Sequence, residues 1–241
     1  MYKVQRAILL AAGRGSRMRE LTDETPKPML KVNGVRMIDT IIRGLISNGI
    51  EEIYIVVGYK KERFREVAAD FPQVKLIENP YTGRANNISS IYVVRDLLEN
   101  SMILEADQFF LDPSPLDPDF EHTEYNACWK ENADEWTADI DDEGRIKKID
   151  EVHEGPGWLV YGVARWTPED ARKLRELVEY EFDVRHNWDI CWDKIALFLH
   201  PEDFPEIYIR RTPDNLRVEL DSVEELAKAD PSYLPYVKTK A

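Results

Sequence analysis

Gly13, Arg14, Gly15 and Arg17, followed after a short spacer by Pro26 and Lys27, are the residues of this sequence best suited to handling a polyphosphate. Two glycines let backbone N–H groups approach an anion closely, and the arginines and lysine bring charge to the same place. Such a loop supports transfer at phosphorus, where charge set against the developing transition state is the main lever. Gly-x-Gly alone is a weak signal, because any strand-to-helix turn can use glycines. Two common phosphate motifs do not fit. No Lys-Ser/Thr follows the second glycine, and Met18 stands where a dinucleotide fingerprint has its third.

The elements that must position this loop alternate. Ala7-Ile8-Leu9-Leu10 is a short apolar run without alternation, the mark of a buried parallel strand that ends in the loop. After a turn at Asn33-Gly34, Met37, Ile38, Ile41, Ile42, Leu45 and Ile46 recur at helical spacing, and Asn48-Gly49 ends that helix. Strands over Ile53–Gly58, Val74–Ile77 and Ser101–Asp107 are separated by a charged helix over 60–69 and a helix opened by Asn86–Ser90. Strand–helix alternation predicts right-handed βαβ units in a mostly parallel sheet, with ligands outside the carboxyl ends of the strands. Asp107 closes such a strand, where a catalytic metal would be held.

Proline and aspartate between Phe109 and Phe120 argue against regular structure there, and the pattern then changes. Tyr125–Lys130, Thr137–Ile140, Ile146–Ile149 and Leu159–Trp166 read as strands, with Asp141-Asp142-Glu143-Gly144 a hairpin turn. Thr167-Pro168-Glu169-Asp170 starts a helix. Another helix is expected over 187–199, then a last pair of strands over 207–209 and 218–220, and a capping box at Asp221–Glu224. The 241 residues suit a single domain over 1–241, with a nucleotide-binding half (1–120) and an acceptor-binding half (121–241).

Forty-six acidic against 32 basic residues give a formal charge of −14, which opposes general binding to nucleic acid or an anionic membrane. Cys128 and Cys191 are too far apart for zinc spacing and suit a reducing compartment. The N-terminus enters the first strand without a leader-like h-region, and no apolar run approaches the ~18 residues that span a bilayer. The expectation is a cytoplasmic protein.

The stretch Ala11-Ala12-Gly13-x-Gly15-x-Arg17, continued by Thr22 and Pro26-Lys27, resembles the signature of the nucleotidyltransferases that activate sugar phosphates and related alcohol phosphates. The resemblance implies a Rossmann-like, mostly parallel sheet flanked by helices, with a small mixed acceptor-binding subdomain. It narrows at Asn86-Asn87-x-x-Ser90-x-Tyr92, at Asp134-Glu135-Trp136, and at Trp192-Asp193 with Glu219-Leu220-Asp221-Ser222. These look most like the bacterial phosphocholine cytidylyltransferases.

Carried over by position, the resemblance assigns CTP binding to Leu10, Ala11, Ala12, Gly13, Arg14, Gly15, Ser16, Asn87, Ser90 and Ala106. It gives phosphate neutralisation to Arg17 and α-phosphate stabilisation to Lys27. Mg²⁺ would be held by Asp107 and Asp193, a pairing that rests on the resemblance alone. The reaction implied is in-line attack of phosphocholine on the α-phosphorus of CTP, giving CDP-choline and pyrophosphate. A homodimer is compatible with it.

A choline cation calls for aromatic faces, and Trp129, Trp136, Tyr161 and Trp192, with Glu135, are the candidate acceptor residues. Cys191 departs from the family pattern, which has an aromatic residue there. That opens a smaller ammonium, 2-aminoethylphosphonate or phosphoethanolamine, with Glu131, Asp134, Glu135, Asp139 and His153 as acceptors of its hydrogen bonds. Two further readings compete: a sugar-1-phosphate nucleotidyltransferase, which gives no reason for the aromatic and acidic second half, and a non-catalytic nucleotide sensor on the same fold.

Overall fold

The structure is a computed structural model that describes residues 1–133 and 135–237, apart from the side chain of Arg19. Asp134, an expected ammonium contact, lies outside the described residues. The strands are β1 (Tyr2–Lys3), β2 (Arg6–Ala11), β3 (Lys31–Val32), β4 (Val35–Arg36), β5 (Ile53–Val57), β6 (Val74–Glu78), β7 (Ser101–Glu105), β8 (Gln108–Phe110), β9 (Asp119–Phe120), β10 (Thr123–Ala133), β11 (Thr137–Ile140), β12 (Ile146–Asp150), β13 (Gly155–Trp166), β14 (Ile207–Arg211) and β15 (Arg217–Glu219). The α-helices are α1 (Met37–Ser47), α2 (Arg65–Asp70), α3 (Ile88–Val94), α4 (Pro168–Glu179) and α5 (Val223–Ala229).

β7, β2, β5 and β6 lie side by side and parallel, with β2 inside. Alternation along β2 explains why its residues are apolar without a break: Ala7 and Leu9 enter one core and Ile8 the other. Ile38, Ile41, Ile42 and Leu45 of α1 and Val67 of α2 cover the first face; Ile88 and Ile91 of α3 and Leu174 and Val178 of α4 cover the second. Each such side chain contributes about 1.5–3 kcal/mol on burial.

The second half continues this sheet. β13 pairs antiparallel with β7, β10 with β13, β14 lies parallel to β10, and β11 joins β13 to β12. Nine strands among the described residues thus form one mixed sheet. No helix among them is long and apolar enough to cross a membrane.

Most expected elements are present, including the turn at Asp141–Gly144, where the Arg145 N–H donates to Asp141 Oδ1 (2.8 Å). Four differ. The charged helix over 60–69 begins as a 3₁₀ turn over Lys61–Phe64 before α2. Residues 109–120 are not wholly irregular, because β8 pairs with β15 and β9 with β1. The last two strands do not pair with each other: β14 joins the main sheet and β15 joins β8. The helix expected over 187–199 forms only at its end, as a wide turn over Ile195–Leu199. Asn86 and Asn87 capture the stretch before it, with Asn86 Nδ2 donating to Asp189 O (3.1 Å) and the Trp192 N–H to Asn87 Oδ1 (2.9 Å). Side chains from a distant loop override helical periodicity there.

Candidate active site

β2 delivers the chain to the glycine loop through Leu10 and Ala11, and Ala12 O accepts the N–H of Tyr59 (3.0 Å). Gly15 has φ +64°, a left-handed conformation, and a Cβ there would lie 2.8 Å from Lys27 Cβ. Both constraints require glycine, because Lys27 passes directly behind the loop. Gly13, Arg14, Ser16 and Arg17 are exposed at the carboxyl end of the sheet, and Arg14 pairs with Asp23 (3.2 Å).

Lys27 is almost fully buried and is the hub of the site. Its Nζ donates to Asp107 Oδ2 (2.9 Å) and to Asp221 Oδ1, while Arg17 reaches Asp221 Oδ2 (2.6 Å). Burial works against the ammonium, but the two carboxylates outweigh it and raise the pKa of Lys27 above its ordinary value. The other oxygen of Asp107, Oδ1, is buried without a partner. An orphaned carboxylate oxygen beside the glycine loop fits a hard divalent cation, which takes oxygen ligands and keeps water.

At the other end of the loop, Ala106 is buried behind Leu10, its N–H donating to Leu10 O (3.3 Å). Asn87 lies at the start of α3 with its Oδ1 engaged by the Trp192 N–H. Ser90 is buried one turn on, where its hydroxyl accepts from Asn79 Nδ2 (3.1 Å).

A cavity of about 350 Å³ opens beside this cluster. Five carboxylates line it: Glu105, Glu135, Glu151, Asp193 and Glu219. Burial raises Glu105 well above the carboxylate range, and the nearby charges of Asp107, Asp193 and Glu219 add to it. Burial likewise pushes Asp193, beside the Tyr125 hydroxyl, up to about 7. Gly162 makes room for Glu105, since a Cβ there would meet Glu105 Cγ at 2.6 Å.

Of the expected acceptor residues, Trp136, Glu135 and Tyr161 line this cavity, and so does Cys191. The two aromatic rings already carry internal cations. The Arg217 guanidinium carbon lies 3.8 Å from the Tyr161 ring centre, and Lys194 Nζ lies 5.9 Å from that of Trp136. Trp192 is buried against Tyr125 and Trp166 in the core, and Trp129 is exposed on the sheet, its indole donating to Glu131 (2.9 Å). Neither lines the cavity; nor do Glu131, Asp139 and His153.

Sequence reasoning assigned no catalytic or binding role to Asp221, Glu105, Glu219 or Arg217. Asp221 and Glu219 stand in a stretch that carried the resemblance, so a signal existed for them. Glu105 had one as well, two residues before Asp107 at a strand end. Arg217 had none.

Residues 7–177 match the MobA-like NTP transferase domain family. The chain is 34% identical to the 2-aminoethylphosphonate cytidylyltransferase of Lancefieldella rimae, over 95% of this chain and 93% of that one. It is 30% identical to the choline-phosphate cytidylyltransferase of Streptococcus pneumoniae, over 93% and 96% of the two chains. The solved structure of the CTP:phosphocholine cytidylyltransferase of Streptococcus pneumoniae superposes with a TM-score of 0.84 at 28% identity, covering 94% of this chain and 98% of that one.

Proposed function

This chain belongs to the MobA-like NTP transferase family, among its cytidylyltransferases, and from that premise we propose that it transfers the cytidylyl group of CTP to 2-aminoethylphosphonate. The observation that carries the choice of acceptor is the cavity wall. Five carboxyl groups face it, while two of its three aromatic rings, Tyr161 and Trp136, already hold a protein cation and the third, Tyr125, is packed on Trp166 and Trp192. A primary ammonium has three N–H donors and is served by carboxylates; a trimethylammonium has none and is served by ring faces. Cys191, standing in place of an aromatic wall, supports the same choice.

In this reading the glycine loop receives the triphosphate, with Arg17 on its phosphates and Lys27 at the α-phosphate. In the free protein Asp107 and Asp221 raise the pKa of Lys27, so it meets the nucleotide as an ammonium. The acceptor's phosphonate oxygen is anionic near neutral pH, so no general base is required. It forms a bond to the α-phosphorus as the bond to the β-phosphate oxygen breaks, and pyrophosphate carries away the electron pair.

Mg²⁺, when bound, would neutralise charge on the triphosphate and the leaving group. Asp107, with its orphaned Oδ1, would hold it. Asp193, the second carboxylate that the resemblance names, lines the acceptor cavity, and Asp221 shares the Lys27 ammonium with Asp107.

The test is pyrophosphate release with Mg²⁺, crossing CTP, UTP and ATP with 2-aminoethylphosphonate, phosphoethanolamine, phosphocholine and glucose-1-phosphate. CTP with 2-aminoethylphosphonate is expected to give the highest kcat/KM. Phosphocholine is the second reading, favoured by the presence of Trp136 and Tyr161 in the cavity wall. A higher kcat/KM for phosphocholine would replace the first reading by the second.

A further inference from the structure

A second cavity, of about 540 Å³, adjoins the first, and the two share Glu135 and Glu219 as lining residues. Its character is different. Arg17, Lys130 and Arg217 line it, each paired with a carboxylate of the same wall (Asp221, Asp214 and Glu219), so it is the side that brings cations to the site and the side next to Lys27. β15 gives Glu219 to both cavities and Arg217 to the second.

Arg217 and Glu219 are two residues apart on that strand and project from the same face. Arg217 Nη1 donates to Glu219 Oε2 at 3.0 Å. Arg217 is only 8% exposed, its guanidinium lies against the Tyr161 ring, and its Nε is buried without a partner. Tyr161 is itself fixed by hydrogen bonds to Thr212 (2.8 Å) and Asn126 (3.1 Å). The cation is therefore held in place on a rigid plate, with a donor unspent. Glu219 is the more exposed partner, and its carboxylate faces both cavities.

We propose that this ion pair occupies the place of a zwitterionic acceptor, and that binding exchanges it for two pairs to substrate: Arg217 takes the phosphonate and Glu219 the ammonium. The inference rests on the acceptor reading given above.

The polarity is the productive one. An anion on Arg217 lies in the cavity that also holds Arg17 and Asp221, which Lys27 contacts, so its oxygen faces the α-phosphate. The ammonium then lies among Glu219, Glu105, Asp193 and Glu135, where without it Arg217 is the cation that offsets Glu219. An acceptor with both charges replaces each half of the broken pair. An acceptor lacking the ammonium leaves Glu219 unpaired among carboxylates, and that penalty is the source of selectivity against neutral sugar phosphates.

Steady-state pyrophosphate release by Arg217→Gln, Arg217→Lys and Glu219→Gln tests the exchange, with 2-aminoethylphosphonate and ethylphosphonate as paired acceptors. Arg217→Gln is expected to raise the acceptor KM roughly 100-fold while the CTP KM stays unchanged, and Arg217→Lys to recover part of the loss. Glu219→Gln is expected to abolish the preference for 2-aminoethylphosphonate over ethylphosphonate. An acceptor KM unmoved in Arg217→Gln, a CTP KM raised equally, or a preference retained in Glu219→Gln each overturns the proposal. Should Arg217→Gln not fold, the acceptor KM of Arg217→Lys and the preference of Glu219→Gln decide the exchange between them. If the wild-type enzyme uses phosphocholine and not 2-aminoethylphosphonate, the acceptor reading fails by itself. The exchange is then decided by the same variants with phosphocholine against its uncharged isostere, 3,3-dimethylbutyl phosphate.

Discussion

The ammonium of Lys27 lies 2.9 Å from Asp107 Oδ2, joining two residues 80 positions apart at the carboxyl end of the sheet. Asp221 binds the same Nζ and also Arg17, and Asp23 binds Arg14, so all three cations expected to meet the nucleotide are held by carboxylates in the free protein. On the proposed reading, nucleotide and metal compete with these internal partners.

Replacing Lys27 by methionine keeps the stem and removes the charge. Two carboxylates are then left without their buried partner, a loss of about 3–5 kcal/mol. We expect a lowered Tm that Mg²⁺ restores more in the variant than in the wild type, together with a fall in kcat of about 10²–10³-fold. Thermal unfolding with and without Mg²⁺ reads the first effect and pyrophosphate release the second. A Tm equally insensitive to Mg²⁺ in both proteins would count against Asp107 as a metal ligand.

Gly15→Ala places a side chain at φ +64° and 2.8 Å from Lys27 Cβ. The backbone strain alone costs about 1–2 kcal/mol, and the displaced lysine adds a functional loss. The expected result is a CTP KM raised about tenfold with the acceptor KM little changed. Gly13→Ala, where a Cβ would meet nothing within 4 Å, is the control.

Asp193, raised from 3.8 to about 7 in the folded protein, makes stability depend on pH. The folded state holds a proton that the unfolded state has lost, so the contribution is complete below 3.8 and is lost as pH rises through about 7. Glu105 acts in the same direction. Asp193→Asn, which cannot ionise, is expected to exceed the wild-type Tm at pH 8 by about 4 °C and to lose that advantage at pH 4. Scanning calorimetry of the metal-free protein across this range tests the sign. A Tm difference independent of pH would contradict it.

Gly162→Ala is expected to push Glu105 out of its place, since the new Cβ would lie 2.6 Å from Glu105 Cγ. The acceptor KM should rise about tenfold with the CTP KM unaltered. Isothermal titration with CTP alone checks that the nucleotide site is intact.

The sequence made the nucleotide half plain because local signals agree there. A short apolar run, two glycines and a charged spacer specify strand, loop and phosphate chemistry within a span of about twenty residues. The acceptor side was less readable, because its residues are assembled across the chain. Trp192 has the composition of a cage wall but packs on Tyr125 and Trp166, and nothing in its neighbourhood distinguishes a core indole from a ligand-facing one. The segment 187–192 has a helical pattern yet is held open by Asn86 and Asn87. Asp221 stood in a recognised stretch, but its bond to Lys27 spans 194 positions, a pairing no spacing rule supplies.

β15 is a three-residue strand that pairs with β8, Glu219 opposite Gln108 and Arg217 opposite Phe110, directly after Asp107. On the proposed exchange, acceptor choice and the phosphate side of the reaction meet on one short ribbon, while the glycine loop lies elsewhere in the chain. A lineage could retune which alcohol phosphate or phosphonate it activates by changing alternate positions of that ribbon, leaving the machinery that activates CTP as it was inherited.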